Sequence, residues 1–303
     1  MAVKRENNAQ PPSATSAPRG PALYVVGTPI GNLEDITLRA LRVLREVDRI
    51  ACEDTRQTQK LLNHYEIRTP TVSYHEHNEM TRAPELIVDL ENGASIALVT
   101  DAGMPGISDP GFRLISLAIR HHIPVIPIPG ASAFLAALVA SGLPGESFRF
   151  GGFLPHKTGE RRKALESIKD LSRTQIFYEA PHRILDTLKD IVEVLGPARH
   201  VVLAREVTKI HEEFLRGRAQ TVLEEAQSRE LKGEITLLIS KPDENGAHEQ
   251  MPVKKESIHE RLQAVMEAEK LDEKSALKRV AREFGISKSE AYRELQRTRA
   301  TIH

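Results

Sequence analysis

The stretch SIALVTDAGMPGISDPGF, residues 95–112, limits the possible folds more than any other part of the sequence, because a strand-like run at 96–100 leads directly into Asp101. A short apolar run bounded by turn residues predicts a central parallel strand that ends in a tight loop. The loop carries about ten residues before the helix of Phe112 to Arg120, whereas an ordinary connection from strand to helix takes about two to six. We therefore interpret it as a ligand-binding loop. The residues that shape its backbone are Gly103, Pro105, Gly106, Pro110 and Gly111.

Strands and helices alternate along the first half of the chain. Ala22 precedes a buried-type strand, LYVVG, and further strands are predicted at Asp48 to Cys52 and at Pro124 to Ile128. The segment Tyr74 to Asn78, YHEHN, is predicted to be extended. Such alternation predicts a mainly parallel sheet covered by helices on both faces, with ligands outside the carboxyl ends of its strands.

A second α/β unit follows a predicted hinge at Leu143 to Glu146, where Pro and Gly interrupt the pattern. Within this unit the segment Leu154 to Lys163 is predicted to be a basic loop. We place an N-terminal α/β domain at residues 21–142 and a C-terminal α/β domain at residues 146–240. The strands predicted for the second domain are Phe148–Gly151, Thr174–Tyr178, His200–Ala204, Glu212–Leu215 and Glu234–Ile239.

The two ends of the chain differ in composition from these domains. Residues 1–20 are polar and proline-rich, lack the apolar core of a signal peptide, and are predicted to be a disordered tail. Residues 241–252 are a predicted polar linker. Residues 253–303 show a helix-turn-helix pattern, with a turn at Gly285 and a second helix capped by Ser287. Their local excess of basic residues leaves two interpretations open, a solvated helical bundle and an RNA-contacting module.

The overall composition excludes several classes of protein. The 42 Lys and Arg residues balance 42 Asp and Glu residues, so the net charge neither indicates nor excludes a nucleic-acid partner. A hydrophobic content of 40% and a charged content of 28% are typical of a soluble globular protein. Cys52 is the only cysteine, which excludes an internal disulfide and fits a reducing compartment. Since no apolar run approaches the length of a membrane span, we expect a cytoplasmic protein without a membrane partner.

Nine short motifs follow one another in unbroken order between residues 23 and 239. Together they resemble the tetrapyrrole methylase superfamily, the class III S-adenosylmethionine-dependent methyltransferases. Within it the resemblance is to the bacterial enzymes that methylate the 2′-oxygen of a cytidine in small-subunit ribosomal RNA. A single motif such as the G-x-P-x-G-N loop is weakly specific, whereas nine in sequence are strong. The motifs are VGTPIGNLEDIT, ACEDTR, YHEHN, LVTDAGMPGISDPG, IPGASAF, GFLPHK, FYEAPHRI, LAREVTK and GEITLLI.

The resemblance implies two α/β domains with a cofactor cleft between them, plus a small C-terminal helical module, usually in a homodimer. It implies S-adenosylmethionine as the cofactor. For Asp101 an electrostatic argument also supports cofactor contact, because a carboxylate there can pair with the ammonium group of the cofactor's methionine. The alternative is that Asp101 caps a helix or forms a turn. The cofactor contacts that the resemblance implies are Thr28, Pro29, Ile30, Asp101, Met104, Gly106, Ile107, Ala131, Ser132, Ala133, Tyr178, Glu179 and Gly233.

Methyl transfer to a ribose hydroxyl requires alignment with the activated methyl group, exclusion of water and a base that helps to remove the proton. Glu53 and Asp54, at the end of a predicted strand, are the candidate bases. For Asp54, pairing with Arg56 or capping the next helix is an equal alternative. His75 and His77 alternate on one strand face, but no third ligand at suitable spacing is evident, so we expect no metal site.

Basic residues of the second domain favour a polyanionic substrate. The leading hypothesis is therefore S-adenosylmethionine-dependent 2′-O-methylation of a cytidine in 16S ribosomal RNA, with the small ribosomal subunit as partner. Two alternatives stay open, namely methylation of a tetrapyrrole such as a uroporphyrinogen or precorrin, and a ligand-sensing DNA-binding regulator. The expected RNA contacts are His156, Lys157, Arg161, Arg162 and Arg183.

Overall fold

A computed structural model of the chain forms two compact units, Met1–His248 and Glu249–His303, and the first unit contains two five-stranded sheets. The residues that the structure describes are 20–242, 261–263, 265–266, 270, 272–283, 290–293 and 295.

The first sheet is entirely parallel, as the alternation of strands and helices predicts. Its strand order is β3-β2-β4-β1-β5, so β4 lies in the middle with β2 and β1 beside it. The loop that follows β4 therefore leaves the centre of the sheet at its carboxyl edge, where α/β proteins bind ligands. The strands are β1 (Ala22–Val26), β2 (Arg49–Cys52), β3 (Thr71–Ser73), β4 (Ser95–Val99) and β5 (Val125–Ile128).

Helices cover both faces of this sheet because successive side chains of a strand point to opposite faces. Ala97 and Val99 belong to one buried apolar cluster, and Ile96 and Leu98 belong to the other. Each helix contributes its apolar side to one of these clusters or to the cluster between the two sheets. The helices of this half are α1 (Leu38–Glu46), α2 (Thr55–His64), α3 (Glu79–Glu91), α4 (Phe112–Arg120) and α5 (Ala133–Ser141).

The second sheet is mixed. Its order is β6-β7-β10-β8-β9, and only β6 and β7 run parallel, while the other neighbours are antiparallel. Its strands are β6 (Phe148–Phe153), β7 (Thr174–Glu179), β8 (His200–Arg205), β9 (Glu213–Arg218) and β10 (Ile235–Ile239). Its helices are α6 (Thr158–Glu166), α7 (Ile184–Leu195) and α8 (Ala219–Gln227).

Two local predictions are wrong. The predicted basic loop ends at Lys157, because residues from Thr158 onward form α6. The YHEHN segment is a turn rather than extended, since Asn78 accepts a hydrogen bond from the His75 backbone N–H at 2.9 Å and the chain then enters α3. A side chain that bonds a nearby backbone group in this way competes with strand pairing.

Helix α5 joins the two sheets. It is apolar on all sides, and Ala137 and Leu138 are buried in a cluster that also contains Ile176 of β7. Phe134 of α5 stacks on Phe150 of β6 with ring centroids 4.4 Å apart. The predicted boundary at residues 142–146 stays a prediction, although the last helix before it packs on the sheet that follows it.

The second unit contains a small apolar cluster of its own, which includes Leu262, Leu277 and Leu295. Its described helix is α9 (Glu273–Glu283). The predicted turn at Gly285 and cap at Ser287 lie outside the described residues, as do the predicted tail up to residue 19 and most of the predicted linker. In the described residues, no helix combines the length and apolarity needed to cross a membrane.

The ends of β1 and β5 approach so closely that only glycine fits there. A Cβ atom on Gly130 would lie 2.7 Å from the Cα atom of Gly27. We expect Gly130→Ala to destabilise the protein by about 1–3 kcal/mol, because the two chain segments must separate to admit the methyl group. Urea denaturation of the purified variant measures this loss.

Gly159→Ala is the matched control. A Cβ atom there meets nothing within 4 Å, and the residue lies in the first turn of α6. Alanine should therefore leave stability unchanged or raise it by about 0.5 kcal/mol. Equal stability of the two variants would contradict the close approach of β1 and β5.

Candidate active site

A cavity of about 380 Å³ lies where the carboxyl edge of the first sheet faces the second sheet. This volume is within the range of roughly 300–1,000 Å³ that small-molecule sites occupy. Its walls come from the loop after β1, the loop after β4, the start of α5 and the ends of strands in the second sheet. Eight of the residues implied as cofactor contacts line it: Ile30, Met104, Ile107, Ser132, Ala133, Tyr178, Glu179 and Gly233.

Two of the loops are joined by their backbones. The Thr28 N–H donates to the Gly103 carbonyl at 2.9 Å, and the Gly103 N–H donates back to the Thr28 carbonyl at 3.2 Å. The Thr28 hydroxyl donates to the Thr100 carbonyl at 3.1 Å. These bonds hold the loop after β1 against the loop after β4, so that both present a preformed surface to the cavity.

The remaining five implied contacts do not line this cavity. Thr28, Pro29 and Asp101 line a neighbouring one of about 430 Å³. Gly106 shapes the loop, because its N–H donates to the Pro110 carbonyl at 3.2 Å with a backbone φ of +81°. Ala131 packs against the apolar cluster around α5. For these residues a direct cofactor contact stays a prediction.

The polar lining of the cavity is acidic. Its acidic residues are Asp109, Glu179 and Glu234, and no Lys, Arg or His is found in the described lining. Apolar side chains such as Ile107 and Val207 make up much of the remaining wall. Carboxylates in a partly dry site attract positive charge, so the cavity suits a ligand with an apolar part and a cationic part.

Glu179 is held rigidly at the end of β7. Its side chain is fully buried, and its carboxylate accepts hydrogen bonds from the Ala180 N–H at 2.8 Å and the Thr187 hydroxyl at 2.7 Å. The Arg183 guanidinium lies 3.3 Å from the same carboxylate. A buried carboxylate is tolerated when it is paired and hydrogen-bonded in this way.

Arg183, which sequence reasoning assigned to RNA binding, is used inside the protein. Besides Glu179, it contacts the ring Nδ1 of His156 at 2.8 Å and donates to the Leu154 carbonyl at 2.9 Å. Its side chain is only 12% exposed. Arg183 therefore holds the loop after β6, which begins directly after the cavity residue Phe153. Its assignment to RNA binding is corrected.

Arg161 is likewise not a surface residue. It is 3% exposed, and its Nε donates to Asp190 at 2.6 Å inside the second half of the fold. Arg162 donates to the other oxygen of Asp190 at 2.7 Å and also pairs with Glu193. The expected RNA contact at Arg161 is wrong because its charge neutralises a buried carboxylate.

His156, Lys157 and Arg162, whose side chain is 41% exposed, remain as surface residues of the predicted RNA set. Lys157 has an 82% exposed side chain and a long contact of 3.4 Å to Glu160. Among the described residues no group of three or more His, Cys, Asp or Glu side chains could hold a metal ion.

Asp54 is a helix cap. Its side chain accepts a hydrogen bond from the Arg56 N–H at 2.8 Å at the start of α2, and it pairs with the Arg56 guanidinium at 2.7 Å. Hydrogen bonds from the Arg56 side chain hold the pKa of Asp54 at about 2. Such a carboxylate accepts protons poorly at neutral pH, so the geometry favours the alternative of a cap and ion pair, and a role as base stays a prediction.

Glu53 lines a groove of about 590 Å³ beside the cavity. Burial, and after it the charge of Asp101, raises its pKa above the ordinary value. Asp101 itself accepts a hydrogen bond from the Asp54 N–H at 3.1 Å, and burial raises its pKa as well. Glu53 therefore stays a candidate base.

Sequence reasoning missed Asp109 as a site residue. It follows Ser108, which has a left-handed backbone with φ of +60°, in the loop after β4. Burial, and after it the charge of Glu53, raises the pKa of Asp109 to about 6. The signal in the sequence was a second carboxylate in a loop rich in Gly and Pro, but its position beside Glu53 depends on the fold.

The comparisons with known proteins agree with this geometry. Residues 22–223 match the family of Tetrapyrrole (Corrin/Porphyrin) Methylases. The chain is 51% identical over 275 residues to Ribosomal RNA small subunit methyltransferase I of Halalkalibacterium halodurans, an alignment that covers 89% of this chain and 93% of that protein. The protein of the same name in Bacillus subtilis is 43% identical over 275 residues, covering 89% of this chain and 92% of its own.

Solved structures show the same fold. Diphthine synthase superposes with a TM-score of 0.58 at 14% identity, covering 72% of this chain and 90% of its own. Uroporphyrin-III C-methyl transferase from Thermus thermophilus, complexed with S-adenyl homocysteine, superposes with a TM-score of 0.51 at 20% identity, covering 72% of this chain and 97% of its own. At these identities the likeness concerns the fold alone, and it confirms the predicted α/β fold class.

The buried carboxylate of Glu179 is expected to contribute to the stability of the folded protein. Glu179→Ala should destabilise the protein by about 3 kcal/mol, because Arg183 loses its buried partner and the Thr187 hydroxyl loses its acceptor. Chemical denaturation measures the change, with the exposed Glu230→Ala as control. Equal midpoints for the two variants would refute the structural role of Glu179.

Proposed function

The chain belongs to the tetrapyrrole (corrin/porphyrin) methylase family, and from that membership we propose that it methylates the 2′-hydroxyl of a cytidine in 16S ribosomal RNA, with S-adenosylmethionine as methyl donor. The observation that carries the proposal is the cavity of about 380 Å³, whose lining is largely apolar and contains acidic residues but no basic residue among those described. The relatives named for small-subunit ribosomal RNA support the choice of acceptor.

The chemistry of the cavity fits this cofactor. S-adenosylmethionine carries a positive sulfonium and a positive ammonium group, and its adenine ring is largely apolar. Asp109 supplies negative charge that the paired lining residues Glu179 and Glu234 do not, since they bind Arg183 and Lys209. Ile30 and Ile107 are among the side chains that would pack against an apolar ring. When bound, the cofactor supplies an activated methyl group, so the protein itself needs no covalent step.

The residues of this chain then align the acceptor and exclude water. The backbone bonds between Thr28 and Gly103 keep two cavity walls in place before any ligand arrives. The Glu179–Arg183 pair does the same for the wall formed by the second sheet. A preformed site of this kind lowers the barrier because the reacting atoms lose little further freedom on reaction.

Ribosomal RNA is the preferred acceptor over a tetrapyrrole. The relatives with names referring to ribosomal RNA are 51% and 43% identical to this chain, whereas the uroporphyrin enzyme is 20% identical and shares the fold. His156, Lys157 and Arg162 are the surface residues of the second half that we propose for RNA contact. We place this activity in the cytoplasm, with the small ribosomal subunit as partner.

We also propose a homodimer. Helix α5 is apolar on all sides, yet Val139 is 84% exposed and Leu135 is 44% exposed. An apolar helix face directed to solvent in this way favours contact with another protein surface. A second copy of the chain is the partner that the resemblance implies.

The reaction is tested with labelled S-adenosylmethionine and small ribosomal subunits from cells that lack this protein. We expect label in one 2′-O-methylcytidine of the 16S RNA, and the same affinity for cofactor in excess chelator. Label transferred to a uroporphyrinogen, with none in the RNA, would instead support the tetrapyrrole alternative.

The dimer is tested by placing a charge on the exposed face of α5. Val139→Glu should shift the mass measured by light scattering from dimer to monomer, because a buried unpaired carboxylate would oppose association. Val88→Glu, at a residue of α3 that is 53% exposed, is the matched control. A monomeric wild-type protein at micromolar concentration would refute the proposed dimer.

A further inference from the structure

Asp109 lies at the wall shared by the cavity and the groove beside it. Of the described acidic residues, Asp109 is the one that lines both spaces. Glu53 lines the groove alone, and Glu179 lines the cavity alone. A ligand in the cavity and an acceptor entering through the groove would therefore meet at Asp109.

The loop after β4 holds Asp109 in place. Its preceding residue, Ser108, has a left-handed backbone that non-glycine residues rarely adopt. The Gly106 N–H donates to the Pro110 carbonyl at 3.2 Å across the loop that contains Asp109. A strained conformation of this kind persists only where its surroundings enforce it, and such positions cluster at functional sites.

Burial and neighbouring charges both act on Asp109. Burial raises its pKa most, the charges of Glu53 and Asp101, from the ends of β2 and β4, raise it further, and the Thr100 hydroxyl lowers it. Tyr178 of β7 lines the same cavity, and burial, with a smaller contribution from the charge of Asp109, raises the pKa of its phenol. Two arginines, Arg113 and Arg120, line the groove with Glu76 and Glu79.

We propose that the carboxylate of Asp109 accepts the proton of the acceptor ribose hydroxyl, an inference that rests on the proposed function. The ribose oxygen forms a bond to the methyl carbon while the bond from that carbon to the sulfonium sulfur breaks, and its electron pair stays on sulfur. The O–H proton passes to the Asp109 carboxylate. From there it leaves through the groove to solvent, which restores the carboxylate.

Glu53 supports this role from the groove. Burial, and after it the negative charge of Glu53, disfavours a charge on Asp109, so the Asp109 carboxylate is a stronger base than an isolated aspartate. With a pKa of about 6, Asp109 is largely ionised at pH 7.5 and still has substantial affinity for a proton. These are the two properties that a general base needs near neutral pH.

The kinetic test uses single turnovers on small ribosomal subunits at saturating S-adenosylmethionine between pH 5 and 8.5. For the wild type, the rate should rise about tenfold per pH unit up to pH about 6 and then level off. Asp109→Asn should lose roughly a hundredfold or more at pH 7.5 and lose that pH dependence. Asp186→Asn, at a surface residue 68% exposed, should follow the wild type.

Two measurements do not depend on turnover. Asp109→Asn should bind S-adenosylhomocysteine within a few-fold of the wild type, as measured by calorimetry. It should also melt at a higher temperature than the wild type at pH 7.5. Because the folded pKa of Asp109 is raised, its carboxylate destabilises the fold above pH about 6, and the difference in melting temperature should shrink as the pH falls toward 4.

The outcomes separate this inference from the function on which it rests. An Asp109→Asn variant that methylates at the wild-type rate overturns the inference and leaves the proposed function intact. Loss of S-adenosylhomocysteine binding in that variant also overturns it, since Asp109 would then be a binding residue. A wild-type protein that methylates no ribosomal RNA overturns the proposed function and the inference together.

Discussion

The packing of α5 on the second sheet is the contact on which the cavity depends. Ala137 and Leu138 lie in one apolar cluster with Ile176 and Leu238, and Phe134 stacks on Phe150. This contact brings the carboxyl edge of the first sheet to the strand ends of the second. Both walls of the cavity are consequently supported by a single apolar helix that continues directly from the loop after β5.

Internal ion pairs account for several of the basic residues in the second half. Arg161 neutralises Asp190, and Arg183 neutralises Glu179 while it holds the loop after β6. The cavity itself keeps carboxylates without a basic residue in its described lining. Arg183 and Lys209 thus pair with two of the three acidic lining residues, Glu179 and Glu234. Asp109 is the lining carboxylate that can attract a cationic cofactor.

Much of the fold could be predicted because it follows from local patterns. The parallel sheet is encoded by apolar runs separated by helical periodicity, and the central position of β4 by its continuous apolar run. The YHEHN turn was predicted incorrectly because one hydrogen bond to Asn78 outweighs strand propensity. The start of α6 was missed because its basic residues were interpreted as belonging to a solvent-exposed loop. One of them, Arg161, is in fact buried in the helix.

The sequence by itself determined the fold class, because strand ends and turn residues are local signals. The resemblance of its nine motifs to a family implied eight residues of the cavity lining. Only the tertiary structure decided the roles of the charged side chains. Asp54 lies next to Glu53 in the chain but binds Arg56, whereas Asp109 lies far away in sequence and lines the same groove as Glu53. The physical reason is that burial and neighbouring charge set a carboxylate's pKa, and both depend on which segments the fold brings together.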